Sequence, residues 1–284
     1  MSTPQPRSSV VVGIDGSAAA TQAAQWAAEE AAGRDIPLRL VYVIDERTND
    51  MSVRLQYAET ALRAATRAVE ATARPVGLET SIIYGSVDDG LAEESKAAVM
   101  VCVGSVGIGR VAWKLLGSTA ATLAERAHCP VAIIRRHDTA GRWQRAAIAV
   151  AVENSGTTEA AVELAMHEAS VRGARLLAVG VSSAESGDVA YDELDRRMDR
   201  WRTRYPGVDV HVVTTRDGIC DFLAGRDEPV ALAVIATDGD TVANLVGPVA
   251  KGVVHRARCS VLVVPTAVDR RIAGGIDSTS SIMS

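Results

Sequence analysis

Short, unbroken apolar runs alternate with longer stretches of helical periodicity along most of this chain. Residues 10–14, 38–44 and 131–134 are dominated by Val, Ile and Leu. Val99, Val101 and Val103 belong to another such run. Continuous runs of this kind fit strands buried on both faces of a parallel sheet. Residues 79–84 alternate instead and predict a third strand before the glycine at 85. Ser17 is a good N-cap for an alanine-rich helix that Gly33 stops near residue 32 and Pro37 keeps from resuming. Leu55, Ala58, Leu62, Ala65 and Val69 recur at helical spacing and predict a long amphipathic helix over about 51–73. A short helix carrying Leu91 and another over about 119–127 complete the series. Strands alternating with helices predict an α/β fold with a doubly wound parallel sheet.

The pattern then starts again. Residues 137–145 are polar, and 147–152 form a new apolar run followed by Glu153-Asn154-Ser155, where the first copy had Asp15-Gly16-Ser17. Ser17 matches Ser155, Glu30 matches Glu168 and Val43 matches Val181, all 138 residues apart. The offset is 132 for Gly107 and Gly239, and 130 for Gly117 with Gly247 and Cys129 with Cys259. The second copy has therefore lost two residues inside its glycine segment. The expectation is two tandem doubly wound parallel-sheet domains of five strands each, over 1–140 and 144–268, each with its own core. Residues 269–284, glycine- and Ser/Thr-rich, are expected to be a disordered tail.

Composition narrows the function. A net charge of −5 supplies no global positive field for nucleic acid or anionic lipid. No apolar run reaches the roughly eighteen residues of a membrane span, and residues 1–9 lack the apolar region of a signal peptide. Cys102, Cys129 and Cys259 lie in or at the start of strand-like runs without framework spacing. They read as buried free thiols of a cytoplasmic protein.

The candidate chemistry lies after Val103, where the chain turns abruptly to glycine at Gly104, Gly107 and Gly109 and later reaches Gly117-Ser118-Thr119. Glycines let the backbone approach a ligand, and Ser118 and Thr119 open a helix whose free N–H groups favour phosphate. Gly104 and Gly109 have P-loop spacing, but Arg110 and Val111 stand where Lys and Ser/Thr are required. Gly107-Ile108-Gly109-Arg110-Val111-Ala112 matches the dinucleotide fingerprint, yet it lies deep in the domain, and the acid that follows, Glu125, is on a helical segment. The spacing Gly-x2-Gly-x9-Gly-Ser is met in full by Gly104, Gly107, Gly117 and Ser118.

That spacing resembles the nucleotide signature of the universal stress protein family, and residues 10–17, 40–45 and 129–134 resemble its first, second and last strands. The resemblance implies an adenine-nucleotide alpha-hydrolase-like fold that binds ATP, with magnesium arriving on the phosphates. It implies that Asp15 lies against the adenosine and that Val43 lines the adenine pocket. Gly104, Gly107, Gly117, Ser118 and Thr119 would hold the phosphates, with Gly13, Ile14, Val103 and Gly109 beside them. It further implies a homodimer paired through the last strands, 131–134 and 261–264, within or between chains. It also implies a protein partner that reads the nucleotide state. Read without the family, Asp15 is also a loop carboxylate near a helix N-terminus, Val43 a core residue and the glycine segment a surface loop.

In the second copy Gly104 becomes Ala236, Asp15 becomes Glu153 and Gly117-Ser118 becomes Gly247-Pro248, whose proline offers no N–H to a phosphate. That copy reads as a fold kept without its nucleotide site, or with a different small ligand. No catalytic constellation stands out: His128 has no paired acid in sequence, and the run 196–204 reads as a salt-bridged helix face. Arg110 and Lys114 lie between the glycines and read more readily as a solvated helix face than as contacts to a γ-phosphate. A slow ATPase and a ligand-free scaffold are the alternatives to an ATP-binding regulator.

Overall fold

The structure, a computed structural model, describes residues 8–45, 50–105, 118–135, 146–153, 158–181, 190–216, 219–225, 229–237 and 259–265. In the first half the order is β1 (Ser9–Gly13), α1 (Ala18–Gly33), β2 (Leu38–Ile44), α2 (Met51–Glu70), β3 (Leu78–Tyr84), α3 (Val87–Glu94), β4 (Ala98–Gly104), α4 (Ser118–Arg126) and β5 (Val131–Ile134). The second half repeats it as β6 (Ala147–Val152), α5 (Thr158–Arg172), β7 (Leu176–Val181), α6 (Tyr191–Arg204), β8 (Val210–Thr215), α7 (Ile219–Ala224), β9 (Val230–Thr237) and β10 (Ser260–Pro265).

The ten strands form one sheet in the order β3-β2-β1-β4-β5-β10-β9-β6-β7-β8. Every pairing is parallel except β5 with β10. The strand registers carry the repeat seen in the sequence. Val10 opposes Leu38 and Ile148 opposes Leu176, at the offset of 138. Met100 and Leu232 take equivalent places beside β1 and β6, at 132. Val101 opposes Val131 while Ala233 opposes Val261, so the last strands stand at 130. The loss of two residues therefore falls between β9 and β10.

The last strands do pair, and within the chain: β5 lies between β4 and β10 while β10 lies between β5 and β9. Both edges of each are taken by strands of the same chain, which is the within-chain form of the expected pairing. The cores differ from the expected one per half. One apolar cluster fills the face under α1, α2, α5 and α6, and another fills the opposite face, each running through both halves. Antiparallel pairing at β5–β10 makes the sheet continuous, so its faces divide the core.

The β5–β10 register is two-fold symmetric in the repeat. Ala132 opposes Leu262, its own equivalent, and Val131 opposes Val263 while Ile133 opposes Val261. The same axis brings α1 against α5, where a methyl added to Gly33 would lie 3.1 Å from its equivalent, Val171. Beside them Glu30 and Glu168, also equivalents, are fully buried. Arg34 pairs with Glu30. Arg172 donates from Nε to Glu168 Oε2 at 2.8 Å and from Nη1 to Glu29 Oε2 at 2.5 Å, and its guanidinium lies 4.3 Å from the Trp26 ring centre. His167 Nε2 lies 3.9 Å from Glu30 Oε1, with burial lowering the imidazole's proton affinity.

The buried Glu30 and Glu168 carboxyls act on each other directly, and their proton affinities are driven in opposite directions. Burial raises Glu30, but Arg34, Glu168, His167 and Arg172 outweigh it and hold Glu30 at about 2. Burial and the charge of Glu30 push Glu168 well above 4.5, so Glu168 keeps its proton.

The pH dependence follows from the two signs. The Glu30 contribution is present above its ordinary value of 4.5 and is lost as pH falls toward 2. The Glu168 contribution is present in acid and is lost as pH rises through its elevated value. Glu168→Gln supplies the hydrogen-bond donor without a titrating proton. Urea unfolding from mildly acid to mildly alkaline pH should show this variant holding its stability where the native chain declines. Glu30→Ala, which strands Arg34, should cost about 3–5 kcal/mol at neutral pH.

Candidate functional site

In the first half β1 and β4 are neighbours, and the chain leaves them toward opposite edges. Open parallel sheets bind ligands at such a switch point, beyond the carboxyl ends of the strands. A crevice of about 780 Å³ opens there. Gly13, Ile14 and Asp15 reach it from the end of β1, Val43 from β2, Val103 and Gly104 from β4, and Ser118 and Thr119 from the first turn of α4. Every expected site residue that the structure describes lines this one crevice. Gly107, Gly109 and Gly117 lie outside the described residues, as do Arg110 and Lys114.

The loop after β1 is tightly built. Ile14 N–H donates to the Val41 carbonyl at 2.8 Å. Asp15 Oδ1 accepts from the Ser17 amide at 2.8 Å, and Ser17 Oγ accepts from the Ala20 amide at 3.1 Å to cap α1. Gly16 between them has φ +85°, in the left-handed region that favours glycine. The Asp15 carboxylate thus presents to the crevice from a turn fixed by its own backbone.

Gly104 is glycine for a reason other than ligand approach. A Cβ there would lie 2.7 Å from the Ala19 carbonyl carbon and 2.9 Å from the Ala20 nitrogen. The missing side chain lets the end of β4 press against the first turn of α1, and this contact closes one side of the crevice.

Sequence periodicity missed the wall supplied by α2. The inner face of that helix is Ala58, Ala61, Leu62, Ala65 and Val69, whereas Leu55, expected among them, is 36% exposed. The first turns run past the sheet, so Val53, Arg54 and Tyr57 border the crevice instead. The signal lay in apolar residues out of phase with the buried stripe: Val53 and Tyr57 are both exposed. Opposite them, Val87 and Leu91 of α3 complete an apolar wall with Val43 and Val103.

The second half differs where its sequence does. Arg197 of α6 donates from Nη1 to the Glu153 carbonyl at 3.2 Å and from Nη2 to Thr158 Oγ1 at 3.3 Å, tying the end of β6 to the start of α5. Gly239, Gly247 and Pro248 lie outside the described residues. The arginines of α6 pair with acids: Arg204 with Glu163 at 2.8 Å, Arg202 with Asp195 at 2.7 Å and Asp199 at 3.0 Å, and Arg200 with Glu159. His128 donates its amide to the buried Ser95 Oγ at 3.0 Å. Cys102, Cys129 and Cys259 are buried and not disulfide-bonded. Burial pushes the Cys129 thiol up to about 12 and that of Cys102 far up.

Comparison with known proteins gives a consistent picture. The family model described as the universal stress protein family matches residues 6–135. The chain is 45% identical over 259 residues to the universal stress protein Rv2624c of Mycobacterium tuberculosis, covering 90% of this chain and 95% of that protein. It is 41% identical over 279 residues to Rv3134c of the same organism, covering 94% and 99%. A universal stress protein from Archaeoglobus fulgidus superposes with a TM-score of 0.71 at 17% identity, covering 93% of this chain and all of that one.

The Gly104 contact sets an expectation. Gly104→Ala forces methyl against helix backbone and should lower stability by about 1–3 kcal/mol. Gly13→Ala meets side chains rather than backbone, Leu91 Cδ1 at 2.9 Å and Val103 Cγ1 at 3.3 Å, and should cost less. Urea unfolding of both variants checks the order.

Proposed function

Because the chain belongs to the universal stress protein family, we propose that its first-half crevice binds ATP and regulates a protein partner in the cytoplasm. The observation that carries this reading is convergence: Asp15, Val43, Gly104 and Ser118 come from separate elements to one crevice at the β1/β4 switch point. Val43 and Leu91 offer an apolar face to a purine, and Asp15 accepts hydrogen bonds from the ribose. The first turn of α4 brings unpaired N–H groups and the hydroxyls of Ser118 and Thr119 to the phosphates. Gly107, Gly109 and Gly117 add backbone amides, and a magnesium ion is held mainly by phosphate oxygens.

Regulation follows from differential binding. A triphosphate gripped between β4 and α4 favours the arrangement of residues 104–119 that fits it, and a partner reads the surface they form. The second half keeps the fold without the nucleotide. Its glycine segment is two residues shorter, and Pro248 replaces Ser118. Arg197 already occupies the Glu153 carbonyl and Thr158 hydroxyl at the matching end of the sheet.

Isothermal titration and thermal unfolding with ATP test the proposal. At a hundredfold excess over its Kd, ATP should add about 2.7 kcal/mol of stability. Asp15→Ala should weaken binding about tenfold, or about 1.4 kcal/mol, and Glu153→Ala should leave it unchanged. Absence of binding by any adenine nucleotide overturns the reading.

A further inference from the structure

The crevice has two unlike walls, and only one is accounted for by the residues expected to meet the adenosine. Val43, Val103 and Leu91 belong to the apolar cluster on the α3/α4 face of the sheet. Tyr42, one residue earlier on β2, belongs to the cluster on the α1/α2 face. A flat ring inserted beyond the end of β2 therefore has an aliphatic surface on one side and the α2 side on the other. On that second side stands Tyr57.

Tyr57 is placed unusually for a helix residue so near the surface. The residue is 44% exposed and lines the crevice, yet it is braced at two points. It packs edge-on against Tyr42, with ring centres 6.2 Å apart and planes inclined by 69°. Its hydroxyl lies against Gly16, where any Cβ would sit 2.7 Å away. Glycine at 16 thus serves both the turn after Asp15 and the seating of Tyr57. An aromatic side chain braced by Tyr42 and at its hydroxyl, yet exposed inside a crevice, has the form of a stacking platform.

We propose that Tyr57 is a specificity-determining residue: its ring stacks on the base and, with Val43 opposite, selects purine over pyrimidine nucleotides. The inference rests on nucleotide binding at this crevice and names the part of the ligand that the α2 wall reads. Larger bases gain more from stacking than smaller ones, so preference follows from ring area without a hydrogen bond to the base edge. The assignment also couples the ligand to α2, since the residue that covers the base is part of that helix.

The test compares ATP and CTP by titration calorimetry against the native chain, Tyr57→Ala and Tyr57→Phe. Tyr57→Ala should weaken ATP roughly ten- to a hundredfold and CTP less, so that the ratio between them shrinks. Tyr57→Phe keeps the ring and should retain most of both affinity and preference. Tyr57→Trp provides a second readout: its emission should respond to ATP and not to tripolyphosphate. Unchanged ATP affinity in Tyr57→Ala overturns the assignment, as does an equal loss in Tyr57→Phe, which would place the effect in the hydroxyl. A native chain that binds adenosine and ATP while these variants behave alike sinks only the role of Tyr57. A native chain that binds no nucleotide sinks the proposed function and this inference with it.

Discussion

The antiparallel contact between β5 and β10 is the constraint on which the rest of the molecule depends. It converts two five-stranded parallel sheets into one of ten strands and places the repeat's two-fold axis between Ala132 and Leu262. Because both edges of both strands are occupied, the described sheet ends at β3 and β8. The same axis determines which helices meet. α1 lies against α5 because each covers the face on which Ala132 and Leu262 point, so the buried carboxyl pair and its arginines follow from the strand register.

The first-half crevice inherits its shape from that frame. β4 is fixed by β5 on one side and β1 on the other, and its last residue, Gly104, packs directly on the first turn of α1. α1 in turn begins at a serine cap immediately after the Asp15 turn. Three elements thus converge through backbone contacts with little room for adjustment, while the α2 wall is set by side chains. A rigid floor and a side-chain wall divide the labour: the floor positions polar groups, and the wall discriminates by shape.

Much of this was legible in the chain. The apolar runs gave the strands because parallel strands buried on both faces leave little choice of residue. The offsets of 138, 132 and 130 reappear as strand registers, since an insertion outside a strand shifts number but not pairing. Gly104 and Ser118 could be grouped because motif spacing is a local feature, and Asp15 and Val43 joined them through the family resemblance. What periodicity could not show was partnership at a distance. Nothing in 131–134 or 261–264 says that one strand takes the other rather than a second chain. Nothing around Gly104 says that the missing side chain makes way for Ala19. Leu55 kept helical phase with the buried stripe, but the sheet ends before the helix does, and phase carries no information about where the partner surface stops.

The axis between the halves has a consequence for how such a molecule is encoded. Where described residues meet their own equivalents, Gly33 faces Val171 and Ala132 faces Leu262, and the Glu30 and Glu168 carboxyls are driven in opposite directions, one lowered and the other raised in proton affinity. An assembly of two identical polypeptides would have to set bulk against bulk or gap against gap at each place, and charge against like charge. Covalent fusion removes that symmetry requirement, so each half is free to become the complement of the other and a poor match for itself.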